Sequence, residues 1–143
     1  MGKFDGVLLA SDFDDTLCDG KTDAIPQRNL DALKRFMKEG GHFLVATGRA
    51  HRTFSPWAPK VPMNAPAVLS NGSAIFDFRT GKMLYQTFLR PEAAQDCASL
   101  CRQFPDLAFE AYHGEDIFAR QPPTPRDAAR SAPRQAITAA SWA

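Results

Sequence analysis

The sequence predicts an α/β fold in which right-handed strand–helix–strand crossovers build a parallel sheet. Apolar runs suited to strands alternate with segments whose apolar residues recur at helical spacing. Three of these runs end abruptly in polar residues, after Ala10, Ala46 and Leu69. With 143 residues, 44% of them apolar, the chain has room for one ordinary domain and a core.

The first strand is predicted at about 6–10, where an uninterrupted apolar run also predicts burial. The first helix begins near Pro26, which a first helical turn tolerates, and stops at the Gly40-Gly41 pair. Its apolar residues recur every three or four positions and so form one face for the core. A second apolar run predicts a strand at 42–46.

Shorter elements follow. A short helix is predicted after Ala50, where nearby prolines limit its length. A third strand is predicted at 67–69. The runs 74–78 and 83–88 flank a turn that contains glycine, which predicts a hairpin.

The last predicted elements are a helix between Pro91 and Pro105 and strands at 107–112 and 115–119. Residues 120–143 contain four prolines, four arginines and seven alanines, and they match neither a helical nor a strand pattern. A segment of this composition buries too little apolar surface to offset the entropy that it would lose on becoming ordered. We therefore expect 120–143 to be a disordered tail. Two origins stay open for it: a shift of reading frame near 119–121, or a genuine disordered tail.

Polar residues follow each of the first three strands, at Asp12–Thr16, Thr47–Arg49 and Ser70–Gly72. The carboxyl ends of parallel strands share one edge, which is where open α/β sheets bind ligands. Clustered carboxylates repel one another unless a cation or hydrogen-bond donors compensate. Each segment also has a structural interpretation, as a helix cap, a strand-to-helix turn or a common turn dipeptide. Their coincidence at one edge favours a shared site.

The residue types at this edge suit phosphoryl transfer. Of two carboxylates spaced as Asp12 and Asp14 are, one can attack as a nucleophile and the other can move a proton. A divalent cation would neutralise a phosphate against these acids. The Thr47 hydroxyl and a main-chain N–H beside Gly48 can approach phosphoryl oxygens.

These motifs resemble those of the haloacid dehalogenase-like (HAD) phosphatases. Asp12–Leu17 resembles the family's first motif, Val45–Arg49 the second motif of its Cof-type, sugar-phosphatase-like branch, and Ser70–Ile75 the segment that follows in that branch. The resemblance covers about 5–119 and implies a partial Rossmann-like core with the start of an inserted α/β cap. The implied domains are the core part at 1–88, the beginning of the cap at 89–119 and the tail at 120–143.

The resemblance also implies roles for individual residues. Asp12 would be the nucleophile that forms an aspartyl-phosphate, and Asp14 the general acid and base. Mg²⁺ would bind the Asp12 carboxylate and the main-chain carbonyl of Asp14. The implied substrate would be a small phosphorylated metabolite. The implied substrate-binding residues are Asp15, Thr47, Gly48, Arg49, Asn71 and Gly72.

The chain departs from the family's pattern in its later motifs. The family's third motif supplies a lysine, and its fourth, Gly-Asp-x-x-x-Asp-like, completes the metal site. No Gly-Asp pair occurs in the sequence, and the last lysine is Lys82, in the predicted hairpin turn. Magnesium prefers six oxygens, so we predict weak or no activity for this chain. A non-catalytic remnant, or a phosphate- or metal-binding module, is the alternative; a receiver module is disfavoured because Ser70-Asn71 stands where its acceptor aspartate would be.

Composition excludes some functions. A formal net charge of +1 gives no case for nucleic acid or an acidic membrane surface. No apolar segment is long enough to span a bilayer, and the N-terminal apolar run is too short and too acidic for a signal peptide. The three cysteines make no disulfide framework. A cytoplasmic location is expected, and the oligomeric state stays open.

Overall fold

A computed structural model describes residues 2–20, 22, 24–104, 108–113, 116–120 and 135–136. The chain divides into two compact units, Met1–Thr87 and Phe88–Ala143. Assignment of the second unit to a cap stays a prediction. The elements are β1 (Leu8–Ser11), α1 (Gln27–Lys38), β2 (His42–Val45), α2 (His51–Phe54), β3 (Ala67–Leu69), β4 (Ala74–Asp77), β5 (Lys82–Gln86), α3 (Ala93–Gln103), β6 (Phe109–His113), β7 (Asp116–Arg120) and β8 (Gln135–Ala136).

The first unit contains two small sheets. β1 and β2 pair in parallel, from Leu8 opposite His42 to Ser11 opposite Val45. β3, β4 and β5 form an antiparallel sheet. A single parallel bridge between Ala46 and Val68 connects β2 with β3. The fold is α/β as predicted, with parallel pairing along β1 and β2 that reaches β3 only through this bridge.

The segment before β3 explains why its pairing with β2 is so short. The Phe43 carbonyl accepts hydrogen bonds from the N–H groups of Asn64 and Ala65, at 3.2 and 3.1 Å. The Asn64 side chain accepts the Phe43 N–H at 2.6 Å and donates to the Gly41 carbonyl at 3.0 Å. Pro66, which follows, has no N–H to donate. The loop therefore takes the hydrogen bonds of β2 that a longer β3 would have used.

β1 is exposed, although the sequence predicts a buried strand. Val7, Leu8 and Leu9 are 44%, 59% and 41% exposed. Within the described residues β1 pairs with β2 on one side, so its other edge faces solvent. An apolar run therefore identified the strand correctly but not its burial. Such an edge favours association with further strands.

Aromatic side chains dominate the core of the first unit. Phe13, Phe43 and Phe54 are fully buried. Phe54 packs edge-on against Phe13 at a centroid distance of 5.2 Å and against Phe78 at 5.6 Å. α1 contributes the buried Leu33. This core lies directly beneath the turn that follows β1.

The second unit contains α3 and a three-stranded sheet. β6 and β7 pair antiparallel, from Phe109 opposite Arg120 to His113 opposite Asp116. β8 pairs in parallel with β7, with Gln135 opposite Phe118. Within the segment predicted as a disordered tail, Arg120 ends β7 and Gln135–Ala136 form β8. The rest of that tail, like Pro105 and Leu107, lies outside the described residues. In the parts of the chain that the structure describes, no helix has the length and apolar character needed to cross a membrane.

A buried carboxylate, that of Asp77, lies at the end of β4. Asp77 is 6% exposed, and its Oδ1 accepts hydrogen bonds from Arg79 Nε at 3.3 Å and from the Arg79 main-chain N–H at 2.9 Å. The Arg79 side chain, followed by its main-chain N–H, lowers the pKa of Asp77 below the ordinary value of 3.8. Ionised Asp77 therefore stabilises the folded state above that ordinary value, and this stability is lost as pH falls through the lowered pKa.

We expect Asp77→Asn to remove this acid-dependent stability. Urea unfolding measured between about pH 6 and about pH 2 should show a smaller loss of stability for the variant than for the native chain. Asp31→Asn, at an exposed position of α1, is the matched control and should follow the native curve. An equal loss in the free energy of unfolding for the native chain and for Asp77→Asn over this pH range would contradict the prediction.

Candidate active site

The turn after β1 places Asp12 at the end of the strand. Phe13 is buried in the core, and its carbonyl accepts the N–H groups of Leu17 and Cys18, at 3.1 and 2.8 Å. Asp12 itself is exposed. Thr16 Oγ1 donates to Asp12 Oδ2 at 3.4 Å, whereas no described residue donates a hydrogen bond to Asp12 Oδ1. The buried Phe13 and the hydrogen bonds to its carbonyl thus fix the turn, while one carboxylate oxygen of Asp12 stays open to a reacting atom.

Main-chain hydrogen bonds bring the three strand ends to one edge. The Ala46 N–H donates to the Ser11 carbonyl, and the Thr47 N–H donates to the Val68 carbonyl, each at 2.9 Å. The prediction that these ends lie together therefore holds, although β3 joins β2 through so short a pairing. The bridge at Ala46 and Val68 is enough to set the position of the third strand end.

Thr47 offers a hydroxyl at the base of this edge. Thr47 is 5% exposed, and its Oγ1 accepts the main-chain N–H of Arg49 at 3.2 Å. Because the oxygen accepts there, the hydroxyl hydrogen is available to donate. A buried donor in fixed orientation suits an anionic oxygen.

The segment Ser70–Gly72 has an unusual backbone. Ser70, Asn71 and Gly72 have φ values of 49°, 54° and 94°, all in the left-handed region. For the two non-glycine residues this costs about 1–2 kcal/mol each, with asparagine among the more tolerant residues. Hydrogen bonds from Ser70 N–H to the Arg49 carbonyl at 2.9 Å and from Asn71 N–H to the Thr47 carbonyl at 3.2 Å hold it in place. Strain of this kind is typical of functional sites.

The Asn71 side chain approaches Gly48 closely. A Cβ atom at position 48 would lie 2.9 Å from Asn71 Oδ1, which is closer than real Cβ contacts come. The glycine thus leaves the main chain accessible beside the Asn71 amide. The Asn-Gly dipeptide signalled a turn in the sequence, but nothing there signalled the left-handed Ser70.

These elements enclose an open cleft of about 290 Å³. It brings together five predicted site residues from all three strand ends. The sequence did not identify Ala46 and Val68 as lining residues, and apolar strand residues give no signal for such a role. The lining residues are Asp12, Ala46, Thr47, Gly48, Val68, Asn71 and Gly72.

Asp14 and Arg49 form an ion pair beside the cleft and are not among its lining residues. Arg49 Nε donates to Asp14 Oδ2 at 2.9 Å, and Arg49 Nη2 donates to Asp14 Oδ1 at 2.7 Å. The two side chains are 32% and 16% exposed for Asp14 and Arg49. Such a two-pronged contact fixes the orientation of the carboxylate as well as its charge. Asp15, with φ of 57°, turns its carboxylate toward Gly20, and it too is outside the lining set.

The carboxylate oxygens at this edge are ligands of the type that Mg²⁺ prefers, but there are few of them. In the described part of the chain no group of three or more His, Cys, Asp or Glu side chains is placed to hold a metal. Asp12 offers a carboxylate at the mouth of the cleft, and both Asp14 carboxylate oxygens already bond Arg49. Magnesium often takes one or two carboxylates, with water and substrate phosphate completing its shell. The described residues therefore offer such an ion one open carboxylate, that of Asp12.

The fold and the cleft define an α/β protein with an acidic site at the carboxyl ends of its strands. The family model described as haloacid dehalogenase-like hydrolase matches residues 9–139. The chain belongs to this family, as its motifs predict. The match extends into the predicted tail.

Individual relatives support this family assignment. The chain is 30% identical to a Mycoplasma pneumoniae protein named as a phosphatase, over 80% of this chain and 40% of the relative. It is 29% identical to pyridoxal phosphate phosphatase YbhA of Escherichia coli, over 54% of this chain and 28% of that protein. The structure of the subclass IIB sugar phosphatase BT4131 covers 95% of this chain with a TM-score of 0.77 and 18% identity, which shows a shared fold; the chain covers 54% of it. The chain thus spans less than half the length of the curated relatives it matches.

Proposed function

We propose that the chain contains the nucleophile side of a magnesium-dependent phosphatase active site that hydrolyses small phosphate monoesters. The supporting observation is the open Asp12 carboxylate facing Thr47, Gly48 and Asn71 in one cleft. The phosphatase names of the relatives support the same reaction. A phosphorylated metabolite is the proposed substrate and the cytoplasm the proposed location.

The proposed reaction has two steps. An Asp12 carboxylate oxygen forms a bond to phosphorus as the ester P–O bond breaks, and Asp14 gives a proton to the leaving alcohol oxygen. Water then attacks the aspartyl-phosphate, Asp14 takes a proton from that water, and inorganic phosphate leaves with Asp12 restored. The Thr47 hydroxyl and the main chain at Gly48 hold phosphoryl oxygens throughout. In this scheme Asp14 carries the transferred proton on an oxygen that Arg49 also contacts.

Magnesium would be held by the Asp12 carboxylate and the main-chain carbonyl of Asp14. When bound, the ion offsets the negative charge of phosphate beside the acids. With so few protein ligands we propose a low affinity for it. Since the sequence lacks the family's third and fourth motifs, we also propose that turnover by this chain alone is weak or absent.

Phosphate release from an aryl phosphate tests the proposal. In millimolar Mg²⁺ we expect slow release above the buffer control, which falls to background with excess EDTA and returns when Mg²⁺ exceeds the chelator. Equilibrium binding of inorganic phosphate is measured on the same sample. Binding without release would favour a phosphate-binding module, and neither binding nor release would favour a non-catalytic remnant.

A further inference from the structure

Arg49 is held on several sides in addition to its contact with Asp14. Its guanidinium carbon lies 5.3 Å from the centroid of the Phe13 ring and 5.8 Å from that of the Trp57 ring. Its Nη1 donates to the Thr53 carbonyl at 3.3 Å. A guanidinium against aromatic faces is favoured electrostatically, more so where it is partly desolvated. The position of this side chain is therefore set by its neighbours as much as by Asp14.

Trp57 is itself fixed. Trp57 follows α2. Its main-chain N–H donates to the Phe54 carbonyl at 2.8 Å, and its main-chain carbonyl accepts the Lys60 N–H at 2.8 Å. Its ring packs edge-on against the buried Phe13 at a centroid distance of 5.2 Å. A rigid aromatic surface thus lies on the side of Arg49 that faces the core.

We propose that Trp57 is a positioning residue for Asp14, acting through Arg49. Phe13 and Trp57 hold the guanidinium, and its two parallel hydrogen bonds hold both Asp14 oxygens in one orientation. Arg49 accordingly serves the proton-transferring carboxylate rather than the substrate. This inference rests on the proposed function for the catalytic role of Asp14. The contact chain from Trp57 to Asp14 is independent of that function.

The Arg49 Nε–H resonance in ¹H–¹⁵N NMR spectra tests the contact chain without any assay of activity. In the native chain we expect a dispersed signal in slow exchange with water. Trp57→Leu should lose that dispersion and exchange faster, Trp57→Phe should retain both properties, and Asp14→Asn should lose them. Lys60→Met, which removes the ammonium 4.5 Å from the Trp57 ring, is the control and should leave the signal in place. An unchanged Arg49 signal in folded Trp57→Leu would overturn the proposal.

Kinetics then test the role of the orientation. Because small misplacement of a catalytic group is costly, Trp57→Leu should lower kcat by about 10- to 100-fold with KM within about twofold, and Trp57→Phe should recover most of it. Arg49→Lys keeps the charge without the two-pronged contact and should show the same split. An increase in KM with kcat unchanged would instead assign Arg49 to substrate binding and overturn the proposal. If the native chain releases no phosphate, the site is inactive in this chain alone, and the NMR result still decides whether Trp57 positions Asp14.

Discussion

Replacing Asp12 by asparagine is expected to lower phosphate release by at least about 10³-fold, or about 4 kcal/mol of transition-state stabilisation. The amide has nearly the same shape as the carboxylate but is a far weaker nucleophile. Asp12 is exposed, so the fold should tolerate the change. Phosphate release and circular dichroism measured on the same preparation separate loss of chemistry from loss of structure.

Trapping provides a second readout that tolerates slow turnover. Acid quenching with a ³²P-labelled substrate should leave label on the native chain and none on Asp12→Asn. Asp31→Asn, an exposed carboxylate in α1, should retain both the label and the release. Equal labelling of the native chain and Asp12→Asn would place the nucleophile elsewhere.

Replacing Phe54 by alanine is expected to cost about 3–5 kcal/mol of folding stability. Phe54 is fully buried and connects the Phe13 and Phe78 rings, so truncation leaves a cavity beneath the turn of Asp12. That loss is comparable with the whole stability of a small domain, typically about 5–15 kcal/mol. Urea unfolding followed by circular dichroism measures it.

The matched control for Phe54→Ala is Leu84→Ala. Leu84 is 56% exposed in β5, and its truncation should change the free energy of unfolding by no more than about 0.5 kcal/mol. Similar losses for the two variants would show that the aromatic cluster does not form the core of the first unit.

The sequence predicted the neighbourhood of Asp12, Thr47 and Asn71 because each follows an apolar strand, and strand ends in an α/β fold meet at one edge. It did not predict the pairing of Asp14 with Arg49, which are 35 residues apart. Local patterns determine secondary structure, whereas the partner of a side chain depends on how the elements pack. The exposure of Leu8 was missed for the same reason, since an apolar run shows that a strand can be buried but not that a neighbour covers it.

Asn64 has a structural role that the sequence did not predict. In the sequence it is one polar residue before a proline, yet its side chain takes two main-chain hydrogen bonds next to β2. Those bonds keep β3 from pairing along the length of β2. Short-range patterns do not show which polar loop residue will bond a strand edge, because several loop residues could do so.

The described residues that line the cleft lie between Asp12 and Gly72, inside the first unit of the chain. In evolutionary terms, the segment after Thr87 can diverge, lengthen or be exchanged by recombination without altering any lining residue. Selection on that segment and selection on the cleft are thus separable. Variation after Thr87 therefore leaves the described lining of the cleft unchanged in composition.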